Sequence, residues 1–332
     1  MVQKHNARHL IDSQDWSLDD INRLWHLTRC LRDGETLPDL DDCLKRKTVI
    51  LWFNAPSTRT RLTLHQAVVE MGGVPLYVGM EDFHDPKIED LADLARAMAL
   101  SASAICLRLL PTKNIPYGQG EAVLRRIAEE AEKLARVPVI SLSHDRCHPC
   151  QGLYEMLTIQ NALKRNELAG TRILFTWVRG QKARPWSSTQ DSLLIATRLG
   201  MRVTLCHPPE FGLDPEIIDR CQRNATNSGG SFDHTDDFSR AFHGQEVVYA
   251  RHWANQEQQV CGRYNNWYCD QTCLGKALFL HPMPLARGDE VSAEVADGSQ
   301  SLLQELLHNK YYLQKALLAM VAGCWSRGGD VS

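Results

Sequence analysis

The chain has 332 residues, 43% of them apolar and 23% charged, and a formal net charge of −3. It is too long for one typical core and suits two domains, and its interspersed charges make no general electrostatic case for nucleic acid or acidic membranes as partners. No apolar run reaches the ~18 residues of a membrane span, and 11 scattered cysteines with no secretory segment ahead of them suggest a reducing cytoplasmic setting.

In chain order, residues 1–17 are mostly polar, and Asp15 to Ser17 starts a helix over 18–32 with Leu18, Ile21, Leu24, Trp25 and Leu27 on one face. An apolar run at 48–53 reads as a buried strand and 54–56 breaks it. A helix then follows over 58–71, with Leu62, Leu64, Ala67, Val68 and Met71 as its apolar positions. Strands at 75–78, 104–108 and 138–141 alternate with helices at 88–101 and 120–136, the pattern of a parallel sheet covered on both faces. A long helix over 151–166 leaves this first domain. The second set has strands at 171–177, 201–206, 246–250 and 277–280, with helices at 187–199, 215–228, 238–242 and 291–307. A final helix over 310–322 packs Leu313, Ala316, Leu317, Met320 and Val321 back on the first domain. The fold class is α/β, with two doubly wound parallel-sheet domains joined by long helices. Residues 1–150, completed by 310–324, form the first domain and 151–309 the second.

In open parallel sheets functional groups collect at the carboxyl ends of strands. Four polar clusters obey that rule: Ser57 to Arg61, Arg108, His148-Pro149-Cys150-Gln151, and His281-Pro282-Met283-Pro284. They are expected to converge on one site between the domains. Ser57 to Arg61 opens a helix, where unpaired N–H groups and the macrodipole attract an anion. Basic residues there oppose the dipole by roughly 0.3–1 kcal/mol each, so Arg59 and Arg61 want an anion as their reason. The nucleotide-type glycine loops are not present at this turn, which argues against a nucleoside triphosphate. The Cys147 to Cys150 spacing matches a thiol redox or zinc pair, yet no second pair accompanies it, so structural or substrate-site use is expected and no metal is assigned.

Phe53-Asn54-Ala55-Pro56-Ser57-Thr58-Arg59-Thr60-Arg61 resembles the carbamoyl-phosphate loop of the aspartate and ornithine carbamoyltransferase family. His148-Pro149-Cys150-Gln151 resembles the family's His-Pro-x-Gln signature, and His281 to Gly288 its late proline-rich turn. The likeness covers about Leu18 to Val321 and implies transfer of a carbamoyl group to an amine without a cofactor. Ser57, Thr58, Arg59 and Thr60 would hold the phosphate. Arg108 and His148 would donate to the carbonyl oxygen as charge develops on it. Gln151 and the Pro282 and Met283 carbonyls would accept from the carbamoyl NH₂. Arg59, Arg108, His148 and Gln151 are thus the expected catalytic set, with Lys87 and Lys310 as further donor contacts. Lys87, or His84 on the same stretch, resembles the loop that some members place in a neighbouring subunit's site, implying a homotrimer with shared sites.

Within the family the segments around 174–200, 229–231 and 247–253 are similar to the N-acetylornithine carbamoyltransferase branch, which carries a chain knot around these loops. Ornithine enzymes grip a free α-ammonium with an aspartate where this chain has Arg251, so plain ornithine is disfavoured. Arg251 suits a carboxylate or acyl group, and Trp253, Arg179, Lys182, Arg184 and His144 are the other expected acceptor contacts. His144 stands in place of that branch's glutamate, and Lys310 in place of its late arginine. The reading is a carbamoyltransferase of altered acceptor choice, using carbamoyl phosphate and an anionic or acylated amino acid with a primary amine. Two alternatives stand beside it: a catalytically silent regulatory subunit, and phosphorolysis of a carbamoyl amino acid in the catabolic direction.

Overall fold

The computed structural model describes residues 8–35, 37–79, 82, 89–112, 115–180, 185–252 and 262–324. Two compact units divide the chain, one formed by Met1–Cys150 with His308–Ser332 and the other by Gln151–Leu307. The chain passes from the first into the second within the helix Pro149–Leu163 and returns within the helix Leu303–Val321. No helix among the described residues is long and apolar enough to cross a membrane.

The first unit holds a parallel sheet of β1 (Thr48–Phe53), β2 (Val74–Val78), β3 (Ala104–Leu109) and β4 (Val139–His144), in the order β2-β1-β3-β4. Strand β1 reads Thr-Val-Ile-Leu-Trp-Phe and is buried on both faces over its middle four residues, as a central parallel strand should be. Ile50, Trp52, Ile105, Leu107 and Val139 pack with Ala95 and Met98 of the helix Leu91–Ser101 and with Leu124 and Ile127 of the helix Gln119–Leu134. The outer edge of β4 is closed by the entering chain: Leu10 N donates to Val139 O at 2.9 Å and Leu10 O accepts from Ser141 N at 2.8 Å. Asp145, just past β4, caps the helix Gln119–Leu134 by accepting from Gly120 N at 2.9 Å and Glu121 N at 3.1 Å. Residue 120 must be glycine for that approach, since a Cβ would sit 2.9 Å from both Asp145 Oδ1 and Leu109 O.

The second unit is a five-stranded parallel sheet of β5 (Arg172–Val178), β6 (Arg202–Cys206), β7 (Ser231–Thr235), β8 (Val247–His252) and β9 (Leu278–Leu280), in the order β7-β6-β5-β8-β9. The α/β class with two parallel-sheet domains therefore holds. Three expectations need correction. Strand β7 was not anticipated, and β8 runs on to His252, so Arg251 and His252 are strand residues rather than loop residues. The expected helix over 291–307 is interrupted: a short helix Ala293–Asp297 ends, the chain at Ser301 bridges to Phe279 of β9, and Leu303 starts one helix that runs unbroken to Val321. Phe279 N donates to Gln300 O at 2.8 Å and Leu302 N to Phe279 O at 2.9 Å, so pairing with the edge strand wins over helix continuity there.

Candidate active site

In the first unit the turn after β1 is fixed before its helix begins. Asn54 Nδ2 donates to Leu110 O at 2.8 Å, its Oδ1 accepts from Leu110 N at 2.9 Å, and its own N–H reaches Arg108 O at 3.1 Å. These bonds tie the end of β1 to the end of β3. The pairing of β3 with β4 shifts register between Leu107 and Arg108, an irregularity of the kind that re-aims a side chain at a strand end. Ser57 is the N-cap of the helix Thr58–Glu70 in extended geometry, but its hydroxyl makes no capping bond, and the first turn carries no acidic residue. The helix Leu91–Ser101 is instead capped by Asp90, which accepts from Ala92 N at 2.7 Å.

Thr60, the third residue of the Thr58–Glu70 helix, is buried and accepts from the buried Lys310 ammonium at 2.8 Å. Lys310 arrives on the helix Leu303–Val321, whose Asn309 accepts from Arg32 at 2.8 Å and whose Gln314 accepts from Thr63. His148 is buried, and burial first, then the like charges of Lys310 and Arg108, hold its imidazole well below the ordinary histidine value. It is therefore neutral at pH 7, and its buried Nδ1 has no hydrogen-bond partner among the described residues. The structure thus brings Thr60, Arg108, His148 and Lys310 together. Of the two arginines in the turn, Arg61 is committed elsewhere, stacked 4.6 Å from the Tyr77 ring centroid and 5.7 Å from Phe53.

In the second unit Gln151 is buried, with its amide Nε2 donating to Glu155 Oε1 at 2.8 Å and to Pro282 O at 3.4 Å, while its Oε1 accepts from Ser188 Oγ at 3.3 Å. Glu155 is fully buried and accepts from Ser192 through its other oxygen. Burial pushes its carboxyl up to about 8, against the hydrogen bonds from Ser192 and Gln151, both of which favour the ionised form. Arg251 lies close enough to oppose that rise and donates to Pro185 O at 3.2 Å.

The turn carrying Pro282 and Met283 is held by a carboxylate hub. Glu290 Oε2 lies 2.8 Å from both His281 Nε2 and His252 Nδ1, Glu290 Oε1 accepts from Ala286 N at 3.0 Å, and Met283 N donates to His281 Nδ1 at 2.9 Å. Met283 has φ +37, a region costly for a side chain of its size, so the clamp fixes where the carbonyls of the turn point. Burial pushes His281 down to about 4, and against burial the two histidines hold Glu290 at about 2. The three side chains have metal-ligand chemistry, with ligand atoms within 4.8 Å of one another. However, His281 Nδ1 accepts a backbone N–H, which places the ring proton on Nε2 where a metal would have to bind. The hydrogen-bond pattern therefore describes a clamp rather than a metal centre.

Two expected acceptor contacts are corrected. His144 is fully buried, with Nδ1 3.0 Å from Asp145 Oδ1 and Nε2 3.1 Å from Ile11 O, so both ring nitrogens are spent on the fold. Arg179 donates to the carbonyls of Asp289, Asn265 and Gly288 at 2.7, 3.0 and 3.3 Å and stacks 4.3 Å from the Tyr268 ring, which makes it a loop fastener. Trp253, Lys182, Arg184, Lys87 and His84 lie outside the described residues. Sequence reasoning missed Glu155, Ser188, Ser192, His252 and Glu290. The i, i+4 spacings Gln151–Glu155 and Ser188–Ser192 were the available signal, since polar residues one turn apart share a helix face. The Cys147-His148-Pro149-Cys150 pair is buried, and Cys150 Sγ donates to Ser141 O at 3.6 Å.

Comparison with known proteins adds an independent line. Residues 8–161 match the aspartate/ornithine carbamoyltransferase carbamoyl-P binding domain, and residues 184–321 match the Asp/Orn binding domain of the same family. The anabolic ornithine carbamoyltransferase of Pyrococcus furiosus is 28% identical over 97% of this chain and 99% of its own length. The N-acetylornithine carbamoyltransferase of Xylella fastidiosa is likewise 28% identical, over 95% of this chain and 98% of its own. Among solved structures, a variant of N-acetyl-L-ornithine transcarbamylase complexed with carbamyl phosphate and N-succinyl-L-norvaline superposes with a TM-score of 0.84 at 26% identity. That match covers 94% of this chain and 99% of the other. Relatives of both names stand at equal identity, so the acceptor has to be read from residues.

Proposed function

The chain belongs to the aspartate/ornithine carbamoyltransferase family, and from that premise we propose that it moves the carbamoyl group of carbamoyl phosphate to the primary amine of an anionic or acylated amino acid. Ser57, Thr58, Arg59, Thr60 and Lys310 hold the phosphate end at the helix start, where dipole and cations act together. Arg108 and the neutral His148 meet the carbonyl oxygen, and their stabilisation grows as that oxygen gains charge. Gln151 and the Pro282 and Met283 carbonyls take the carbamoyl NH₂. The acceptor nitrogen attacks the carbonyl carbon, a C–N bond forms as the C–O bond to phosphate breaks, and the departing phosphate takes the amine proton. The observation that carries this reading is the neutral, buried His148 flanked by Lys310 and Arg108, a positive set built around a group that donates without carrying charge itself.

Arg251 is assigned to the acceptor's carboxylate or acyl oxygen. A guanidinium there repels a free α-ammonium and clamps a carboxylate with two bonds, which favours N-acylated or anionic acceptors over ornithine. A homotrimer is the proposed assembly, checked by light scattering on the purified protein. The function itself is tested by phosphate release from carbamoyl phosphate with ornithine, N-acetylornithine, N-succinylornithine, aspartate, putrescine and 2,3-diaminopropionate. Release with an acylated or anionic acceptor is expected. No turnover with any amine, together with no carbamoyl-phosphate binding, defeats the reading.

A further inference from the structure

The helices Pro149–Leu163 and Ser187–Arg198 meet along a short polar ladder inside the second unit. Gln151 and Glu155 are one turn apart on the first helix, Ser188 and Ser192 one turn apart on the second, and the rungs are Gln151 with Ser188 and Glu155 with Ser192. Gly152 allows the approach, since a Cβ there would lie 3.2 Å from Asp191 O.

A glutamine amide has two orientations of nearly equal shape, and its neighbours decide between them. Ser188 cannot decide, because a hydroxyl donates or accepts as required. Glu155 Oε1 at 2.8 Å and Pro282 O at 3.4 Å are acceptors, and turning the amide would bring its oxygen against both. The shorter and better placed of the two is Glu155. Both carboxyl oxygens of Glu155 accept, Oε1 from Gln151 Nε2 and Oε2 from Ser192, and both bonds favour the ionised form, which has no proton to offer a turned amide. Ser188 uses one lone pair of Gln151 Oε1, which leaves the second for a substrate donor.

We propose that Glu155 is a positioning residue that locks the Gln151 amide with its oxygen presented, so that the site recognises a donor carrying NH₂ and discriminates against one carrying a methyl group in its place. This rests on the reading above that Gln151 accepts from the carbamoyl NH₂. Acetyl phosphate is the discriminating probe, equal in its phosphate end but without the amide hydrogens.

The experiment measures kcat and KM for carbamoyl phosphate, and Ki for acetyl phosphate, in the full-length protein carrying Glu155→Met, Glu155→Gln, Gln151→Ala and the double variant Gln151→Ala with Glu155→Met. Met keeps the length and removes the acceptor, whereas Gln can turn its own oxygen toward Gln151. Glu155→Met is expected to raise KM for carbamoyl phosphate ~10-fold with Ki for acetyl phosphate unchanged, and Glu155→Gln to stay within ~3-fold of the parent. In the Gln151→Ala background Glu155→Met should add nothing, because a residue acting through Gln151 has no effect without it. The proposal is overturned if Glu155→Met costs the same factor with and without Gln151, if Glu155→Gln behaves as Glu155→Met, or if acetyl phosphate loses affinity in parallel. If Gln151→Ala leaves KM for carbamoyl phosphate untouched, it is the assignment of Gln151 itself that fails. Should Glu155→Met not fold, Glu155→Asp, one methylene short of the Gln151 amide, carries the same expectations at smaller size.

Discussion

The surroundings of His148 and the surroundings of Gln151 and His281 are built on opposite principles. Around His148 the charged neighbours Lys310 and Arg108 have one sign, and both press the imidazole toward its neutral form. Around Gln151 and His281 donors and acceptors alternate, amide to carboxyl, serine to carboxyl, imidazole to carboxylate, backbone N–H to imidazole. Like charges held together raise the energy of the empty protein and repay it only when an anion arrives. Alternating partners lower it at once and fix orientation. The first region is thus suited to capture and to transition-state charge, and the second to aiming the groups that recognise.

The sharpest break of this contrast is Arg108→Ala. Removing one donor aimed at a developing oxyanion typically costs 10²–10³ in rate, so kcat/KM for carbamoyl phosphate is expected to fall ~10³-fold with the melting temperature little changed. Steady-state phosphate release checks it. A loss under ~10-fold would place Arg108 outside the charge-stabilising set.

The second region should answer in stability rather than rate. Glu290→Gln sets an amide nitrogen against one of two donors, His281 Nε2 or Ala286 N, and is expected to cost ~2 kcal/mol at pH 7, read from urea melts. The pH dependence follows from the carboxyl's position near 2 in the fold against 4.5 unfolded. The stabilisation is complete above ~4.5 and is lost as pH falls toward 2, so the gap between parent and variant narrows across that window. His281, pushed down to about 4 from 6.5, adds acid sensitivity of its own, since below 6.5 the unfolded chain takes up a proton that the fold resists. A gap constant from pH 7 to 3 would mean that Glu290 acts by packing alone.

Much of this was legible in the sequence, and what was not has physical causes. The strand Thr48–Phe53 and the helices Leu18–Arg32 and Pro215–Ser228 announce themselves by apolar runs and faces. Strand β7, Ser-Phe-Asp-His-Thr, lies at the sheet edge with one large apolar residue, so its pattern is weak. The long helix Leu303–Val321 spans the gap between the expected helices over 291–307 and 310–322, where the polar residues Asn309 and Lys310 stand. Both are buried and have their polar groups satisfied there, Asn309 by Arg32 and Lys310 by Thr60. His144 and Arg179 show the converse failure. Residue type marked them as candidates to bind an anion, but a residue's type does not say where its donors are already spent. The turn Ser57 to Arg61 stands out in the sequence because its residues are contiguous, whereas the Gln151 and Glu290 networks join residues distant in the chain.

Arg251 tests the acceptor side. Arg251→Lys keeps the charge and gives up the planar two-bond grip. Acceptor KM is expected to rise ~10-fold while KM for carbamoyl phosphate stays fixed. If the two rise together, Arg251 supports the fold around Pro185 and Glu155 rather than the acceptor.

The smallest effect is expected from Lys310→Met, and it bears most directly on the contrast between the two regions. The ammonium both bonds Thr60 at 2.8 Å and repels a proton from His148. Replacing it with a neutral chain of similar length should weaken carbamoyl-phosphate binding less than ~10-fold, since the helix start and Arg59 remain. The His148 imidazole should move upward, because one like charge is gone, yet stay below its ordinary value, because burial is the larger cause and is untouched. The acid limb of the kcat/KM profile should therefore shift to higher pH by a modest amount, and NMR titration of His148 should follow it. Were binding to weaken with the acid limb unmoved, Lys310 would belong with the fasteners, like Arg179. The one-signed character of the His148 surroundings would then rest on Arg108 alone.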